Sequence, residues 1–423
     1  MTRPPPTIAL FPEASFGAAL NCIGIAQALR ERGARPAFIC HPGFTGLFAD
    51  YGFPEHHLPA AAAKGGSPDT WQGFVDRHLP HFNLPPLEQL ETYVGPTWEA
   101  IVDTAIGAEA GLRRLLARLK PDAVVLDNVI MFPALAGSNV PWVRMISCAE
   151  TELPDPEVPP YLSGLSADDP SRADFESRYL EAVAPAHDRF NRFRAGAGLP
   201  ALPAGTFLET SPWLNLLLTP GIVRRDRADP LDPERFVYLE GCVRREGPFD
   251  LPDFPRAEGP LVYLGFGSLG AGDTDLIERM IAVFATLPAR FIVNVGGFRD
   301  AYRAVPDNVY LDAWFPQPSV VEQCDLFIHH GGNNSFCEAL YFGVPSLIMP
   351  YCWDGHDNAR RAVETGVGRR LDRASWTADD LASCITALLG DETMRRRLSD
   401  NAAAMAARPG TAVAADAILD LLG

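Results

Sequence analysis

The residues with the most chemistry to offer lie between Asp325 and Ala359, in the segment DLFIHHGGNNSFCEALYFGVPSLIMPYCWDGHDNA. Leu326, Phe327 and Ile328 form an apolar run that predicts a buried parallel strand. His329 and His330 lead into Gly331 and Gly332, and Asn333, Asn334 and Ser335 follow. A helix is predicted from about Ser335 to Phe342, ended by Gly343 and Pro345. Strand, glycine turn and helix start together make an anion site. Glycine lets an oxyanion approach the backbone, and the first amides of the helix are free donors at the positive end of its dipole. Asn334 and Ser335 are predicted to cap that helix and to donate to the same anion. Glu338 falls one turn further on, on the face of Asn334. A carboxylate there repels a phosphate but suits a sugar diol. The segment therefore asks for a phosphate on one side and a ribose-like hydroxyl pair on the other.

The elements that position this segment follow from the hydrophobic pattern. Thr7–Phe11, Ala37–Cys40, Glu55–Leu58, Ala123–Leu126, Trp142–Ile146, Leu214–Leu218 and Val237–Tyr238 read as short strands. Helices are predicted over Ala19–Arg32, Leu47–Tyr51, Trp98–Leu119 and Arg172–Gly198. Strand, helix and strand in alternation predict a parallel sheet with right-handed crossovers. Asp127 ends one strand, at the edge where open α/β sheets bind ligands. Residues 60–96 break the pattern with Pro, Gly and aromatic side chains, and are either a surface loop or a variable pocket wall. REGPFDLPDFPRAEG, residues 245–259, reads as a linker. A second α/β series then runs through Pro260–Phe266, Arg290–Val295, Val309–Leu311, Leu326–Ile328 and Ser346–Met349, and helices from Asp379 and from Thr411 to Leu422 close the chain.

Composition excludes several classes. A length of 423 residues suits two or three domains, and a net charge of −17 argues against nucleic-acid or anionic-membrane partners. Eight scattered cysteines contain no C-x-x-C pair, so neither a zinc site nor a disulfide framework is suggested and a reducing cytoplasm is expected. No run of 18 apolar residues and no signal-peptide pattern occurs.

His330, Gly331, Gly332, Asn333, Asn334, Ser335, Glu338, Ala339, Leu340, Gly343, Pro345, Asp354, Asn358 and Ala359 stand in the order of a long motif. It resembles the donor signature of the GT-B glycosyltransferases that use nucleotide-activated sugars, the UDP-glycosyltransferase superfamily of plant and antibiotic-tailoring enzymes. The resemblance implies an α/β GT-B fold, two Rossmann-like domains facing across a cleft. It implies an acceptor-binding domain over 1–240, a linker over 241–259 and a nucleotide-sugar domain over 260–405. Residues 406–423 would then be a helix that crosses back onto the first domain.

The co-substrate would be a UDP- or dTDP-linked sugar, with no other cofactor and no metal. The partner would be a small-molecule, natural-product acceptor, and the protein a cytoplasmic monomer or homodimer. Donor contacts are implied at Ser268, His330, Gly332, Asn333, Asn334, Ser335 and Glu338. His329 is expected to pack. Trp314 and Gln317 resemble the Trp-x-Pro-Gln segment, where an indole stacks on the base. Asp354 would accept bonds from the transferred sugar. A Gln usually follows that acid, but Gly355 stands here, with His356 or Asp357 as candidate substitutes. Acceptor contacts are expected at Phe16, Trp71, His78, Phe82 and Asn128.

One departure bears on mechanism. The resemblance implies a catalytic His after the first strand, oriented by an Asp at the position of Asp127. In FPEASFGAALNCIGIAQAL that position is Ala18, and residues 1–40 contain no histidine. Three explanations follow. Glu13 or Asp127 serves as base; the acceptor is nucleophilic enough to need little help; or the chain is an inactive, auxiliary nucleotide-sugar-binding protein. A GT-B sugar-nucleotide epimerase would need acid and base groups near C2 of the sugar, and none is identifiable. The enzyme expected is an inverting hexosyl- or deoxyhexosyltransferase, with Glu13 and Asp127 as candidate catalytic residues.

Overall fold

The computed structural model describes residues 4–59, 77–255 and 258–423. Trp71 therefore lies outside the described residues. Two wholly parallel sheets organise the chain. The first has the order β3-β2-β1-β4-β5-β6-β7, built from Thr7–Pro12 (β1), Arg35–Cys40 (β2), Glu55–His57 (β3), Ala123–Asp127 (β4), Trp142–Ile146 (β5), Leu214–Leu218 (β6) and Phe236–Leu239 (β7). The second has the order β10-β9-β8-β11-β12-β13, from Leu261–Gly265 (β8), Arg290–Asn294 (β9), Val309–Asp312 (β10), Leu326–His329 (β11), Ser346–Ile348 (β12) and Gly368–Arg370 (β13). These two doubly wound sheets are the GT-B arrangement that the sequence implied. β13 escaped the sequence reading because its GRR has no apolar run.

In each sheet the strand order reverses once near the middle, between β1 and β4 and between β8 and β11. At such a reversal the crossover helices depart to opposite faces and leave a crevice beyond the strand ends. Glu13 follows β1 and Asp127 ends β4; Ser268 follows β8 and His330 follows β11. The topology alone thus brings the candidate residues to two crevices.

The first sheet is covered by α1 (Phe16–Glu31) on one face and by α2 (Gly95–Leu119) and α3 (Arg172–Gly196) on the other. The start of α1 is set by Ser15, whose hydroxyl accepts the Ala18 amide at 3.4 Å. This places the helix start at Phe16 rather than Ala19. α2 runs on from a π-helical turn, Leu90–Val94. Such turns displace side chains from the regular helical stripe and recur at functional sites; Tyr93 lies in this one. On the second sheet, α4 (Thr274–Phe284), α5 (Asn333–Phe342), α6 (Gly355–Thr365) and α7 (Glu392–Ala407) share the core of the described residues with β8–β12. The final helix, α8 (Gly410–Asp420), packs Ala414, Ala415 and Ile418 against α1 and the first sheet.

Candidate active site

A cavity of about 350 Å³ lies between the two crevices. One wall comes from the second sheet. α5 starts at Asn333 with Gly332 as its N-cap and no side-chain cap, so Asn334 and Ser335 do not cap it as expected. The carboxylate of Asp354, from the loop after β12, does this instead, accepting the Asn333 amide at 2.9 Å. The amides of Asn334 and Ser335 have no acceptor among the described residues. They remain available to an anion. Gly332, Asn333, Asn334, Ser335, Ser268, His330, Gln317 and Asp354 all line the cavity.

The glycines are required by close approach. A Cβ on Gly332 would come within 2.5 Å of His330 Nε2, and Gly331, at φ +91°, would meet the Gly355 carbonyl at 2.7 Å. His330 stacks on Tyr351, ring centroids 4.8 Å apart. Burial and the nearby Arg373 charge push its pKa down to about 4, against a backbone hydrogen bond at Gly265, so the ring is neutral at physiological pH. His329 is fully buried and packs on Phe327.

The opposite wall carries acids. Glu13 and Asp127 are joined by a backbone bond, Glu13 N–H to the Asp127 carbonyl at 2.7 Å. Burial raises the Glu13 pKa to about 7, opposed by a bond from Ser15 and reinforced by the Glu152 charge. Burial holds the Asp127 carboxyl well above the usual carboxylate range, with the Glu13 and Glu152 charges adding to it against a bond from Ser147. Ser147 Oγ donates to Asp127 Oδ1 at 2.5 Å, and Cys22 Sγ lies 3.7 Å from Oδ2. Glu13 therefore changes charge near neutrality, and burial shifts the Asp127 carboxyl in the same upward direction. Ala18 also lines this cavity, so the position lacking the expected histidine faces the same space.

Burial pushes the Asp354 pKa up to about 7, against the Asn333 amide bond and with the Asp357 charge. Around these groups, Phe16, Asn128, Tyr93, Thr97, Ile101, Val129, Met145, Cys148 and Trp353 also line the cavity. Trp353 is held at φ +54°. This is an uncommon backbone for a bulky side chain, of the kind that clusters at functional sites.

The structure corrects four further sequence expectations. Glu338 does not face the cavity. It is 1% exposed, with Arg244 Nη1 donating to Oε1 at 2.8 Å and Gln317 Nε2 to Oε2 at 2.6 Å. Phe82 is 2% exposed and belongs to the core, packing on Tyr93 and Tyr351, which themselves line the cavity. His78 is half-buried against Tyr93 and is outside the cavity lining. His356 and Asp357 are buried too. Asp357 accepts from Thr151 Oγ1 at 2.7 Å and from the Leu162 and Gly164 amides at 2.8 Å, so it ties α6 to the first-sheet loops rather than holding a sugar.

Trp314 stands 64% exposed beyond the lining, an open aromatic face rather than a core residue. The sequence reading missed Glu152, Tyr93, Ser147, Tyr351 and Trp353. Tyr351 and Trp353 adjoin the motif and were within reach of it. Glu152 sits in the proline-rich stretch where no periodicity points to a site.

Residues 278–421 match the family described as erythromycin biosynthesis protein CIII-like, C-terminal domain. Along 98% of this chain and 86% of the relative, the sequence is 24% identical to demethyllactenocin mycarosyltransferase of Streptomyces fradiae. It is 28% identical to oleandomycin glycosyltransferase of Streptomyces antibioticus over 57% of this chain and 56% of that relative. The glycotransferase of kitacinnamycin has a similar fold, at TM-score 0.73 and 22% identity, over 99% of this chain and all of that one, 100%. The two parallel-sheet domains have the GT-B fold, and the chain is similar in sequence to natural-product tailoring glycosyltransferases.

Proposed function

We propose that the protein transfers a hexose or deoxyhexose from a UDP- or dTDP-linked donor to a small natural-product acceptor with inversion at C1, using Glu13 as general base. The observation that carries this reading is the pairing of opposite chemistries across one cavity. Unpartnered helix-start amides face a carboxylate whose pKa is about 7.

The diphosphate sits at the amides of Asn334 and Ser335, beside Ser268 and His330. As the C1–O bond breaks, charge develops on the leaving phosphate, and fixed donors already aimed there stabilise it without reorganising. Neutral His330 contributes a hydrogen bond rather than a charge. The base of the nucleotide stacks on the exposed Trp314. Asp354 accepts from hydroxyls of the transferred sugar. Glu13 takes the acceptor proton as the acceptor oxygen attacks C1 from the face opposite the diphosphate. A base with pKa near the working pH suits this task. Asp127, held by Ser147 and bonded through its backbone carbonyl to the Glu13 amide, supports the Glu13 loop. Phe16, Ile101, Val129 and Trp353 offer the apolar surface for the acceptor. No resident cofactor is invoked, because the donor itself is the activated co-substrate.

The test is product analysis by NMR with the purified enzyme, a set of nucleotide sugars and hydroxylated polyketide acceptors. An inverted anomeric linkage is expected, with turnover lost in Glu13→Gln and nucleotide affinity kept. A retained anomeric configuration would overturn the proposed geometry.

A further inference from the structure

We infer that the acceptor is an elongated molecule, with its reacting hydroxyl in the cavity between the two sheets and an uncharged, mainly apolar arm in a second chamber of the first domain. This rests on the transfer reading proposed above and deepens it to the shape and polarity of the acceptor.

Space is the first argument. The cavity that holds Glu13 and the start of α5 measures about 350 Å³. That is near the lower end of the roughly 300–1,000 Å³ that a site for one small molecule usually has. Transfer needs two co-substrates in it at once. Among the described residues a second cavity, of about 450 Å³, is bounded by α3, the loop after β5 and the segment 202–210. Val129 and Glu152 line both cavities, so the two adjoin at these side chains. The adjoining wall is aromatic. Trp353 lines the first cavity, and Trp98 and Tyr161 line the second, their rings 6.0 and 6.4 Å from that of Trp353. Trp98 also stacks on Phe207 at 3.9 Å. Such rings offer a ligand large apolar area in a defined geometry.

Polarity is the second argument. Arg144, on β5, is 4% exposed and lines the second chamber. Its Nη2 donates to Glu152 and its Nη1 to the Leu208 carbonyl at 3.3 Å, while its buried Nε has no partner among the described residues. Glu152 already neutralises the guanidinium. An incoming carboxylate would have to displace Glu152, and an incoming cation would be buried without a free partner; both are costly. One free N–H instead suits a carbonyl or ether oxygen on an otherwise apolar arm.

The 4-alkylphenols from methyl to octyl test this, because the hydroxyl end is constant and only the arm grows. Dissociation constants are measured by calorimetry on the full-length protein in the presence of UDP. They should fall roughly fourfold per methylene, the transfer value for one buried CH₂, until the chamber is full. Leu180→Trp, from α3, and Ala204→Trp, from the segment 202–210, fill the chamber at residues outside the first cavity. Each should flatten the series beyond 4-methylphenol while leaving the affinity for 4-methylphenol and for UDP unchanged. In the unaltered protein, 8-(4-hydroxyphenyl)octanoate should bind at least roughly tenfold more weakly than 4-octylphenol, an estimate for burying one unpaired charge. A flat series in the unaltered protein overturns the inference. So does a gain that survives in both variants, an octanoate that binds as tightly as the octyl compound, or an octyl compound that 4-methylphenol does not displace. With UDP still bound, any of these removes this inference alone, whereas failure to bind UDP and every phenol removes the transfer reading as well.

Discussion

Glu13→Gln is the substitution that bears most directly on how a glycosyltransferase of this kind works with Ala18 where a histidine is expected. The variant keeps the side-chain volume and removes the proposed proton acceptor. General-base catalysis contributes on the order of 10²–10⁴ in rate, which is about 3–5 kcal/mol of transition-state stabilisation. Because burial places the Glu13 pKa at about 7, the unaltered enzyme also carries a pH signature. Only the ionised fraction is active, so below neutrality kcat should fall roughly tenfold per pH unit. The sign follows from the raised pKa, which leaves the acid protonated, and idle, over a range where an ordinary glutamate is charged. The assay is initial rate against pH at saturating donor, for the unaltered protein and the Glu13→Gln and Asp127→Asn variants, with nucleotide affinity measured in parallel. Glu13→Gln should lose about 10²–10⁴ in kcat and flatten the acid limb, with dissociation constants for nucleotide unchanged. Asp127→Asn leaves the Glu13 carboxyl in place and should stay within roughly tenfold, an estimate for disturbing one hydrogen bond, with the limb in place. An acid limb that survives in Glu13→Gln and vanishes in Asp127→Asn would refute the assignment and exchange the two roles.

Other sites give further expectations. Trp314→Ala should weaken nucleotide binding by about 1–3 kcal/mol, the range for a stacked base, with little change in thermal midpoint because the indole is 64% exposed; calorimetry and a melting curve check both. Gly332→Ala forces a Cβ into His330 and should abolish stabilisation by nucleoside diphosphates in a thermal-shift assay, and an undiminished shift would contradict the backbone-cradle geometry. Asp357→Ala strands a hydroxyl and two buried amides at a cost of about 3 kcal/mol. It should lower the thermal midpoint and raise KM more than it lowers kcat.

The fold was legible because buried parallel strands are short apolar runs bounded by loops, and twelve of them could be read without tertiary information, from Thr7–Pro12 to Ser346–Ile348. That His330 and residues 332–335 share one cavity wall was legible for a different reason. These residues adjoin in sequence, so a strand, a turn and a helix fix them together. The rest of the cavity lining comes from segments far apart in sequence, among them Glu13, Tyr93, Asp127, Ser147, Glu152 and Trp353, and no local pattern joins them. Glu338 shows how a local reading fails. Helical spacing correctly put it beside Asn334, with a bond at 3.1 Å. Spacing could not show that Arg244, 94 residues earlier, would claim it. Phe82 was misplaced by the same blindness: an aromatic in an irregular stretch can face a ligand or the core, and only packing decides.

Ser147 connects the two halves of the site. Its hydroxyl donates to Asp127 Oδ1, while its backbone carbonyl accepts Asn333 Nδ2 at 3.0 Å. Asn333 Nδ2 also reaches the Leu218 carbonyl at 2.8 Å, and the Asn333 amide is the one capped by Asp354. The first residue of the donor helix is therefore bonded to the ends of two strands of the other sheet, β5 and β6. In this arrangement an anion drawn to the start of α5 and a proton leaving towards Glu13 are referenced to one frame. A reacting pair must be held near contact distance to gain from proximity, and small misplacements are costly. Ser147→Ala removes the bond to Asp127 and leaves the carbonyl bond to Asn333. Asn333→Ala does the reverse, keeping Asp127 held while freeing the donor helix from the first sheet. If the frame serves catalysis, Asn333→Ala should cut kcat by more than roughly tenfold at unchanged donor affinity, because the donor amides survive but no longer sit opposite the base. A loss confined to donor affinity would instead make Asn333 a donor ligand, and the link between the sheets incidental.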